Sequence, residues 1–248
     1  MPVFTESISN QQTAYSAGIK VYQNFGQLNQ GAILIEQFDR NLLNPSGFPA
    51  YYTTGGVGSP TVVIGNNSRL QIQTSGTQND NAACVMNQLS FSRFAEYVDN
   101  RSMVTMDIIF SFGDITLEQS FFGLVLNNAS VLTALPTTAV HVGLYRDTSV
   151  SNNMILSSGN GSAQATTSTL KAPVINTNYR LNIVWTGNNN AVVSLYDTSP
   201  YTSLLKSQTV TDFGTLTSIS NFNLHFFNQT LTGAGKGIFI TEFQVLAT

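Results

Sequence analysis

Apolar and polar residues alternate with a period of two along much of the chain, most clearly from Tyr179 to Asp197. One face of this stretch carries Tyr179, Leu181, Ile183 and Trp185 and, after a Gly-Asn-Asn-Asn turn, Ala191, Val193 and Leu195. Period-two alternation is typical of a strand with one face in a core. Glycine and asparagine adopt the positive φ values that tight hairpins need. The pattern therefore predicts a β-hairpin.

Similar but shorter segments predict further strands along the rest of the chain. They lie at 32–39, 61–64, 69–74, 82–89, 104–112, 121–126, 140–145, 154–157, 204–210, 221–227 and 238–246. We expect polar loops at 74–81 and 159–169, and a loop around Tyr51 and Tyr52. Residues 91–100 have a helix-like spacing of apolar residues. Many short strands separated by Gly/Asn turns predict an all-β sandwich or closed barrel.

The first 31 residues differ from the remainder because they are rich in Gln and Asn and follow neither a helix nor a strand period. We interpret residues 1–31 as an N-terminal extended arm and 32–248 as a single β-sandwich domain. The arm either needs a partner surface to become ordered or covers its own domain. The candidate docking residues on it are apolar: Phe4, Ile8, Tyr15, Val21, Tyr22 and Phe25.

Charge content narrows the choice of partners. Charged residues make up 9% of the 248 residues and the net charge is −3, whereas about 25% charged residues is usual in soluble domains. Without a cluster of Lys and Arg, the sequence does not predict nucleic-acid binding. It shows neither a signal peptide nor an apolar run long enough for a membrane span. The lone Cys84 lies in an apolar run and is predicted to be a buried small hydrophobe.

The sequence does not indicate a catalytic or metal site. Retaining glycosidases need two carboxylates about 5–5.5 Å apart, and no second acid lies two positions from Glu6, Glu36, Glu96, Glu118 or Glu242. Asp107 stands alone in its strand. We expect His141 and His225 to cap strands or face solvent. Loop oxygens around Asp80 or Asp147 are conceivable calcium ligands, but their spacing favours plain solvated loops. No metal, cofactor or enzymatic activity is predicted.

Several segments together resemble the concanavalin A-like, or laminin G-like, jelly roll that also occurs in phage and virus structural proteins. Residues 33–39 resemble its opening strand, 69–72 its second strand, and 104–112 with 121–126 its central pair. The hairpin at 179–196 and a closing strand at 238–245, expected to lie beside the first strand, complete the resemblance. It covers about residues 32–248 and implies an antiparallel β-sandwich jelly roll. Its members include lectins, glycan-degrading enzymes, adhesion modules and virion proteins, so the fold does not choose a function.

Glycan sites combine aromatic faces with Asn and Asp side chains. The candidate glycan-binding residues are tyrosines in predicted loops or near strand ends: Tyr51, Tyr52, Tyr145, Tyr196 and Tyr201. Trp185 belongs to an inward-facing set, which favours a place in the core.

Taken together, these features favour a virion structural protein, most specifically a phage capsid decoration protein of the head surface or a fibre-type protein. Such a protein would be assembled in the host cytoplasm, attach to the major capsid protein or other virion subunits, and form a homo-oligomer, with a trimer favoured. Contact with a surface glycan of the host is compatible with this role. The alternative is a non-catalytic carbohydrate-binding, lectin-like module. A third interpretation is a jelly roll that itself builds the capsid shell.

Overall fold

The computed structural model describes residues 11–16, 19–24, 32–36, 51–55, 60–65, 69–86, 103–126, 132–167, 171–187, 190–211 and 221–247. For the strands between 11 and 55 the description covers the backbone. Every regular element in these ranges is a β-strand. A helix long and apolar enough to cross a membrane is absent from them.

Seventeen strands make up the described structure. In chain order they are β1 (Gln11–Ser16), β2 (Ile19–Asn24), β3 (Ala32–Glu36), β4 (Tyr51–Gly55), β5 (Thr61–Gly65), β6 (Arg69–Gln73), β7 (Asn81–Met86), β8 (Val104–Phe112), β9 (Glu118–Leu126), β10 (His141–Asp147), β11 (Ser151–Gly159), β12 (Gln164–Thr166), β13 (Tyr179–Gly187), β14 (Asn190–Tyr196), β15 (Leu204–Val210), β16 (Phe222–Thr230) and β17 (Gly237–Ala247). The predicted hairpin is β13–β14, closed where Gly187 pairs with Asn190.

The strands form two antiparallel sheets. The ten-stranded sheet has the order β1-β2-β3-β17-β8-β13-β14-β15, with β6 also on β17 and β5 on β6. The seven-stranded sheet has the order β12-β11-β10-β9-β16-β7-β4. Strand β17 pairs with β6 through its first half and with β3 through its second, while β8 pairs along its other edge. The predicted pairing of the closing strand beside the first is therefore confirmed.

The core lies between the two sheets and contains the inward residues of the predicted alternation. The five apolar residues at alternate positions from Val104 to Phe112 are at most 2% exposed. Tyr179, Leu181, Ile183 and Trp185 are buried in the same cluster, which confirms both the predicted face and the core position of Trp185. Cys84 is also fully buried, and burial raises the pKa of its thiol. Because burial of apolar area stabilises by about 25 cal/mol per Å², this cluster is the main source of stability.

The connection between β9 and β10 covers part of the outer face of the seven-stranded sheet. Leu132 from this connection packs in a second apolar cluster with Ala83, Phe121, Val125 and Phe227. Asn81 Nδ2 on β7 donates a 3.3 Å hydrogen bond to the carbonyl oxygen of Thr133. The connection therefore crosses the outer face of the sheet from β9 towards β7, and it shields this face from solvent.

Three sequence-based expectations about local structure are wrong. Tyr51 and Tyr52 begin strand β4, not a loop, because aromatic and β-branched residues favour extended backbone once a partner strand is available. The loop predicted at 159–169 contains the short strand β12. The solvent-facing half of the expectation for the histidines is wrong: His141, which begins β10, and His225, within β16, are both fully buried, and the imidazole of His141 has internal hydrogen-bond partners.

Two further expectations concern regions with a limited description. The helix-like segment at 91–100 lies outside the described residues. Strands β1 and β2 belong to the predicted arm, and β2 pairs with β3 at the edge of the ten-stranded sheet. The domain boundary at residue 31 and the docking role of the arm stay predictions.

Candidate functional site

The structure brings two of the five candidate glycan-binding tyrosines to the same end of the ten-stranded sheet. Tyr196 ends β14, and Tyr201 lies in the connection from β14 to β15. Both are partly exposed. Tyr145 lies on β10 of the other sheet, and Tyr51 and Tyr52 lie on β4, where the backbone is described. Glycan contact by any of them stays a prediction.

The other predicted contact residues belong to the arm. Phe4, Ile8 and Phe25 lie outside the described residues. Tyr15 lies on β1, and Val21 and Tyr22 lie on β2, at positions where the backbone alone is described.

The side chains around Tyr196 come from three adjacent strands. Arg180 on β13 is paired in register with Tyr196 on β14, and its guanidinium carbon lies 5.2 Å from the centroid of the tyrosine ring. Asp107 on β8 accepts a 2.7 Å hydrogen bond from Arg180 Nε and a 2.8 Å hydrogen bond from Asn182 Nδ2. All four residues occupy outward positions in the period-two pattern, so the core positions of the same strands remain apolar. The hydrogen bond to Asp107 also raises the pKa of Arg180, whose guanidinium is therefore always charged.

Tyr201 is held in an uncommon backbone conformation. Its φ is 60°, in the left-handed region that residues other than glycine adopt rarely. A 2.9 Å hydrogen bond from its own N–H to the carbonyl of Thr198 and a hydrogen bond between Asn178 and its hydroxyl fix it there. Burial raises the pKa of the hydroxyl; the bond from Asn178 opposes this rise, and the negative charge of Glu242 adds to it. Strained residues that their surroundings hold in place are concentrated at functional sites.

We call Asp107, Asn178, Arg180, Tyr196 and Tyr201 the Tyr196–Tyr201 cluster. Its hydrogen-bonding groups are not saturated. Among the described residues, none donates to Oδ2 of Asp107 or accepts from the two Nη atoms of Arg180. Both side chains are partly exposed, at 21% and 33%. An acceptor and a pair of donors therefore lie side by side, next to an aromatic ring, on an accessible surface.

The surface around Tyr145 is different because its polar groups already bind each other. Asp147 Oδ2 accepts from Gln119 Nε2 at 3.0 Å, and Oδ1 accepts from the N–H and hydroxyl of Ser149 at 3.0 and 2.6 Å. Tyr145 also hydrogen-bonds Asp147, and burial, more than that carboxylate, raises the pKa of its hydroxyl. This surface has less capacity left for a ligand than the Tyr196–Tyr201 cluster.

A buried serine–histidine contact lies on the outer face of the seven-stranded sheet. His141 Nδ1 lies 2.8 Å from the carbonyl oxygen of Ala139, and Nε2 lies 2.8 Å from Ser157 Oγ. A carbonyl can only accept, so Nδ1 carries the proton and Nε2 accepts from the serine. Burial lowers the pKa of His141, which keeps the ring neutral. Ser157 is fully buried, so this arrangement orients side chains and does not present a nucleophile to a substrate.

Glu118 is the acidic residue with the strongest perturbation among the described ones. Burial raises its pKa to about 8, although the guanidinium of Arg146 opposes that shift. Both side chains are completely buried, and Arg146 donates hydrogen bonds to Glu118 Oε1 and to the carbonyl oxygen of Ile115. A buried acid bonded to arginine inside the sandwich has no access to a glycosidic bond. The pair instead fixes the loop between β8 and β9.

The acidic side chains around Asp80 and Asp147, the loops considered for calcium, are engaged within their own loops. The described residues contain no group of three or more His, Cys, Asp or Glu side chains that could hold a metal ion. Asp80 is fully buried and accepts a 2.6 Å hydrogen bond from the N–H of Ser75, while Asp147 is occupied as described above. Both carboxylates therefore stabilise their own loops.

Sequence analysis missed Asp107 and Arg180 as members of this candidate site. Each residue is at an outward position in an alternating strand, and the period-two pattern of the sequence shows that position. Their contact depends on the register between β8 and β13, which pairs Ile109 with Arg180 and Asp107 with Asn182. A strand register between segments about seventy residues apart is not encoded in either strand alone.

Comparison with known proteins identifies the fold. No family profile and no curated protein matches the chain in sequence. Among solved structures, a protein of unknown function from Shewanella oneidensis MR-1 is similar, with a TM-score of 0.60, 15% identity, and coverage of 90% of this chain and 89% of the other. Peanut lectin has a TM-score of 0.58 and 12% identity, and the match covers 87% of this chain and 97% of the lectin chain.

The exoplasmic/lumenal domain of VIP36, in its Ca²⁺/Man3GlcNAc-bound form, has a TM-score of 0.56 and 10% identity. The match covers 84% of this chain and 88% of the VIP36 chain. At identities this low, structural similarity establishes the architecture but does not identify a ligand. The chain has the concanavalin A-like jelly-roll fold that the opening strand, the β13–β14 hairpin and the closing strand suggested.

Proposed function

We propose that this protein is a non-catalytic, lectin-like carbohydrate-binding module and that the Tyr196–Tyr201 cluster is its glycan site. The observation that carries the proposal is the juxtaposition of Asp107, Arg180 and Tyr196, with unsaturated hydrogen-bonding groups beside a partly exposed aromatic ring. The likeness to lectins supports this alternative more than it supports a virion structural role.

The chemistry of the cluster suits a sugar. Adjacent hydroxyl groups on a pyranose both donate and accept hydrogen bonds. Asp107 Oδ2 can accept from one hydroxyl while an Nη atom of Arg180 donates to its neighbour, and charged partners strengthen both bonds. The ring of Tyr196 offers apolar surface to the C–H face of the same sugar. The opposite charges of Asp107 and Arg180 compensate each other, so this pair suits an uncharged hydroxyl-bearing ligand.

The proposal is tested by glycan-array screening followed by calorimetry with the best oligosaccharide. Tyr196→Ala and Arg180→Met should each weaken binding by at least about tenfold, equivalent to about 1.4 kcal/mol. Arg180→Met keeps the aliphatic stem and removes the donors. Tyr145→Ala on the opposite sheet is the matched control and should bind as the unmodified protein does. Equal affinity of all three variants would refute this location, and the absence of any array signal would refute the function.

A second candidate function is attachment to a virion surface, as the low charge content favours. With 9% charged residues, self-repulsion between copies is small, and a crowded lattice tolerates such a surface. In this role the protein would bind the major capsid protein or other virion subunits. It would be located in the virion and form a trimer. Electron microscopy of the source particle is the test: a regular array of this chain on a shell supports the role, and absence from the particle excludes it.

A further inference from the structure

The turn between β11 and β12 contains the single Asn-Gly pair of the chain, Asn160 and Gly161. Both residues are exposed, so solvent has access to them. Because glycine has no Cβ, nothing shields the backbone nitrogen of Gly161 from the side chain of the residue before it. An asparagine in this position has a reaction available to it in which that backbone nitrogen displaces ammonia from the carboxamide.

The side chain of Asn160 is folded back over its own turn. Its Oδ1 accepts hydrogen bonds from the N–H groups of Ser162 at 3.0 Å and Ala163 at 2.9 Å, and its backbone N–H donates to the carbonyl of Ala163 at 3.2 Å. An asparagine side chain that bonds the backbone in this way mimics a backbone turn. Because Oδ1 reaches the two N–H groups that follow Gly161, the carboxamide carbon is held beside the Gly161 peptide.

The same two hydrogen bonds activate the carboxamide. Donors directed at a carbonyl oxygen stabilise the negative charge that develops there when a nucleophile adds to the carbon, and they act at roughly 2.7–3.1 Å. The N–H groups of Ser162 and Ala163 lie within this range. The turn therefore supplies the stabilising donors from its backbone alone.

The attacking and leaving nitrogens are not engaged elsewhere. Among the hydrogen bonds between described residues, none is donated by the N–H of Gly161 or by Nδ2 of Asn160. Gly161 has a φ of 92°, in the left-handed region that glycine adopts without strain. The backbone nitrogen can therefore lose its proton, and the amide nitrogen can leave, without breaking a hydrogen bond of the described fold.

We propose that Asn160 is a modification site, at which water deamidates the side chain through a cyclic imide. The nitrogen of Gly161 gives its proton to hydroxide and bonds to Cγ of Asn160. The bond from Cγ to Nδ2 then breaks, and ammonia leaves with a proton from water. A second water opens the imide at Cγ to give aspartate, or at the backbone carbonyl to give isoaspartate. The net reaction consumes water and releases ammonia, with no change of oxidation state.

The two products differ in their effect on the hairpin. Aspartate at this position still accepts from both N–H groups, and its charge strengthens these bonds. Isoaspartate instead adds a backbone atom next to the pair Gly159–Gln164, one of three pairs between β11 and β12, so we expect it to weaken this short ladder. Both products make the net charge more negative than −3. The reaction needs no ligand and does not depend on the proposed glycan site.

Incubation of the folded full-length protein in water enriched in heavy oxygen tests the proposal. Digestion in ordinary water and peptide mapping follow, so that only conversion during the incubation carries the label. We expect label at Asn160 well before Asn176, which is also exposed and has a φ of 56° but precedes Thr177. The rate should rise with pH, because hydroxide removes the proton, and should be no lower than in the chain unfolded by urea. Labelling no faster than at Asn176, or much slower than in the unfolded chain, overturns the proposal.

Variants separate the cyclic route from direct hydrolysis by solvent. Gly161→Ala places a methyl group beside the attacking nitrogen and should slow labelling severalfold. Asn160→Gln keeps the amide and the glycine but needs a larger ring, so labelling at this position should disappear even if Gly161→Ala disturbs the turn. Ser162→Ala is the matched control, because it keeps both N–H donors, and should react at the unmodified rate. Unchanged labelling in Gly161→Ala and Asn160→Gln would establish direct hydrolysis and refute the proposal.

Discussion

The rings of Phe110 and Phe122 meet across the core with their centroids 4.4 Å apart and their planes inclined by 38°. Phe110 comes from β8 of the ten-stranded sheet and Phe122 from β9 of the seven-stranded sheet, and both are fully buried. Phe112 and Tyr179 complete the aromatic group around them. The contact joins the two layers within the core.

Replacing Phe110 with alanine should therefore lower the free energy of unfolding by about 3–5 kcal/mol, because it leaves a cavity among rigid neighbours. Urea denaturation followed by tryptophan fluorescence measures the change. Ile109→Ala, at the outward-facing neighbour on the same strand, is the control and should cost clearly less. Equal losses in the two variants would show that the burial pattern of β8 does not govern stability.

Gly123 and Gly143 lie directly opposite each other on β9 and β10, and their backbones approach closely. A Cβ at position 123 would lie 2.3 Å from the carbonyl oxygen of Val142 and 2.7 Å from the Cα of Gly143. Gly123→Ala should destabilise the protein by at least the roughly 1–3 kcal/mol typical of overpacking. In the loop variant Gly233→Ala the new Cβ would meet nothing closer than 3.4 Å, and thermal melting should be nearly unchanged. Similar melting temperatures for both variants would argue against the close approach.

The buried Glu118 should make stability depend on pH. Its pKa rises from an ordinary 4.5 to about 8 in the folded state, so between these values the folded protein holds a proton that the unfolded chain releases. The free energy of unfolding should then fall as the pH increases through this window. His141, whose pKa is lowered, acts in the opposite direction below its usual pKa of about 6.5.

A comparison with Glu118→Gln isolates the contribution of the glutamate, because the histidine is common to both proteins. The difference in unfolding free energy between the two proteins should change across the window from 4.5 to about 8. Chemical denaturation at a series of pH values measures it. A constant difference would mean that Glu118 stays ionised beside Arg146 throughout.

The predicted arm gives a test of assembly. Its apolar residues are too sparse for a core of their own, and ordering each residue costs about 1–2 kcal/mol of backbone entropy. Deleting residues 1–28 should leave the sandwich folded. It should abolish attachment to the proposed virion partner, and light scattering should no longer show the proposed trimer. Strand β3, which begins at Ala32, is retained in this deletion. A truncated protein that assembles with full affinity would place the docking surface on the jelly roll.

Sequence reasoning recovers features that depend on local alternation and misses those that depend on packing between distant segments. The inward face of β8 and the β13–β14 hairpin follow from period-two patterns that suit only one burial pattern. The burial of His141 does not follow from such a pattern, because it depends on hydrogen bonds with the carbonyl of Ala139 and with Ser157 in the next strand. The sequence singles out Tyr196 and Tyr201 as candidates, which stays a prediction, but the contact of Tyr196 with Arg180 depends on the strand register.

The position of β17 also bears on how the protein is made. This strand, Gly237–Ala247, lies between β3 and β6 on one side and β8 on the other, so β3 and β6 cannot be connected to the β8–β13–β14–β15 part of the sheet before β17 is present. During synthesis at roughly 5–20 residues per second, the strands already released must wait with unpaired edges until the ribosome has delivered β17. Pairing between segments this far apart in sequence is intrinsically slow. The nascent chain is therefore open to misassociation and to chaperone capture until β17 emerges, because the sheet is not closed before then.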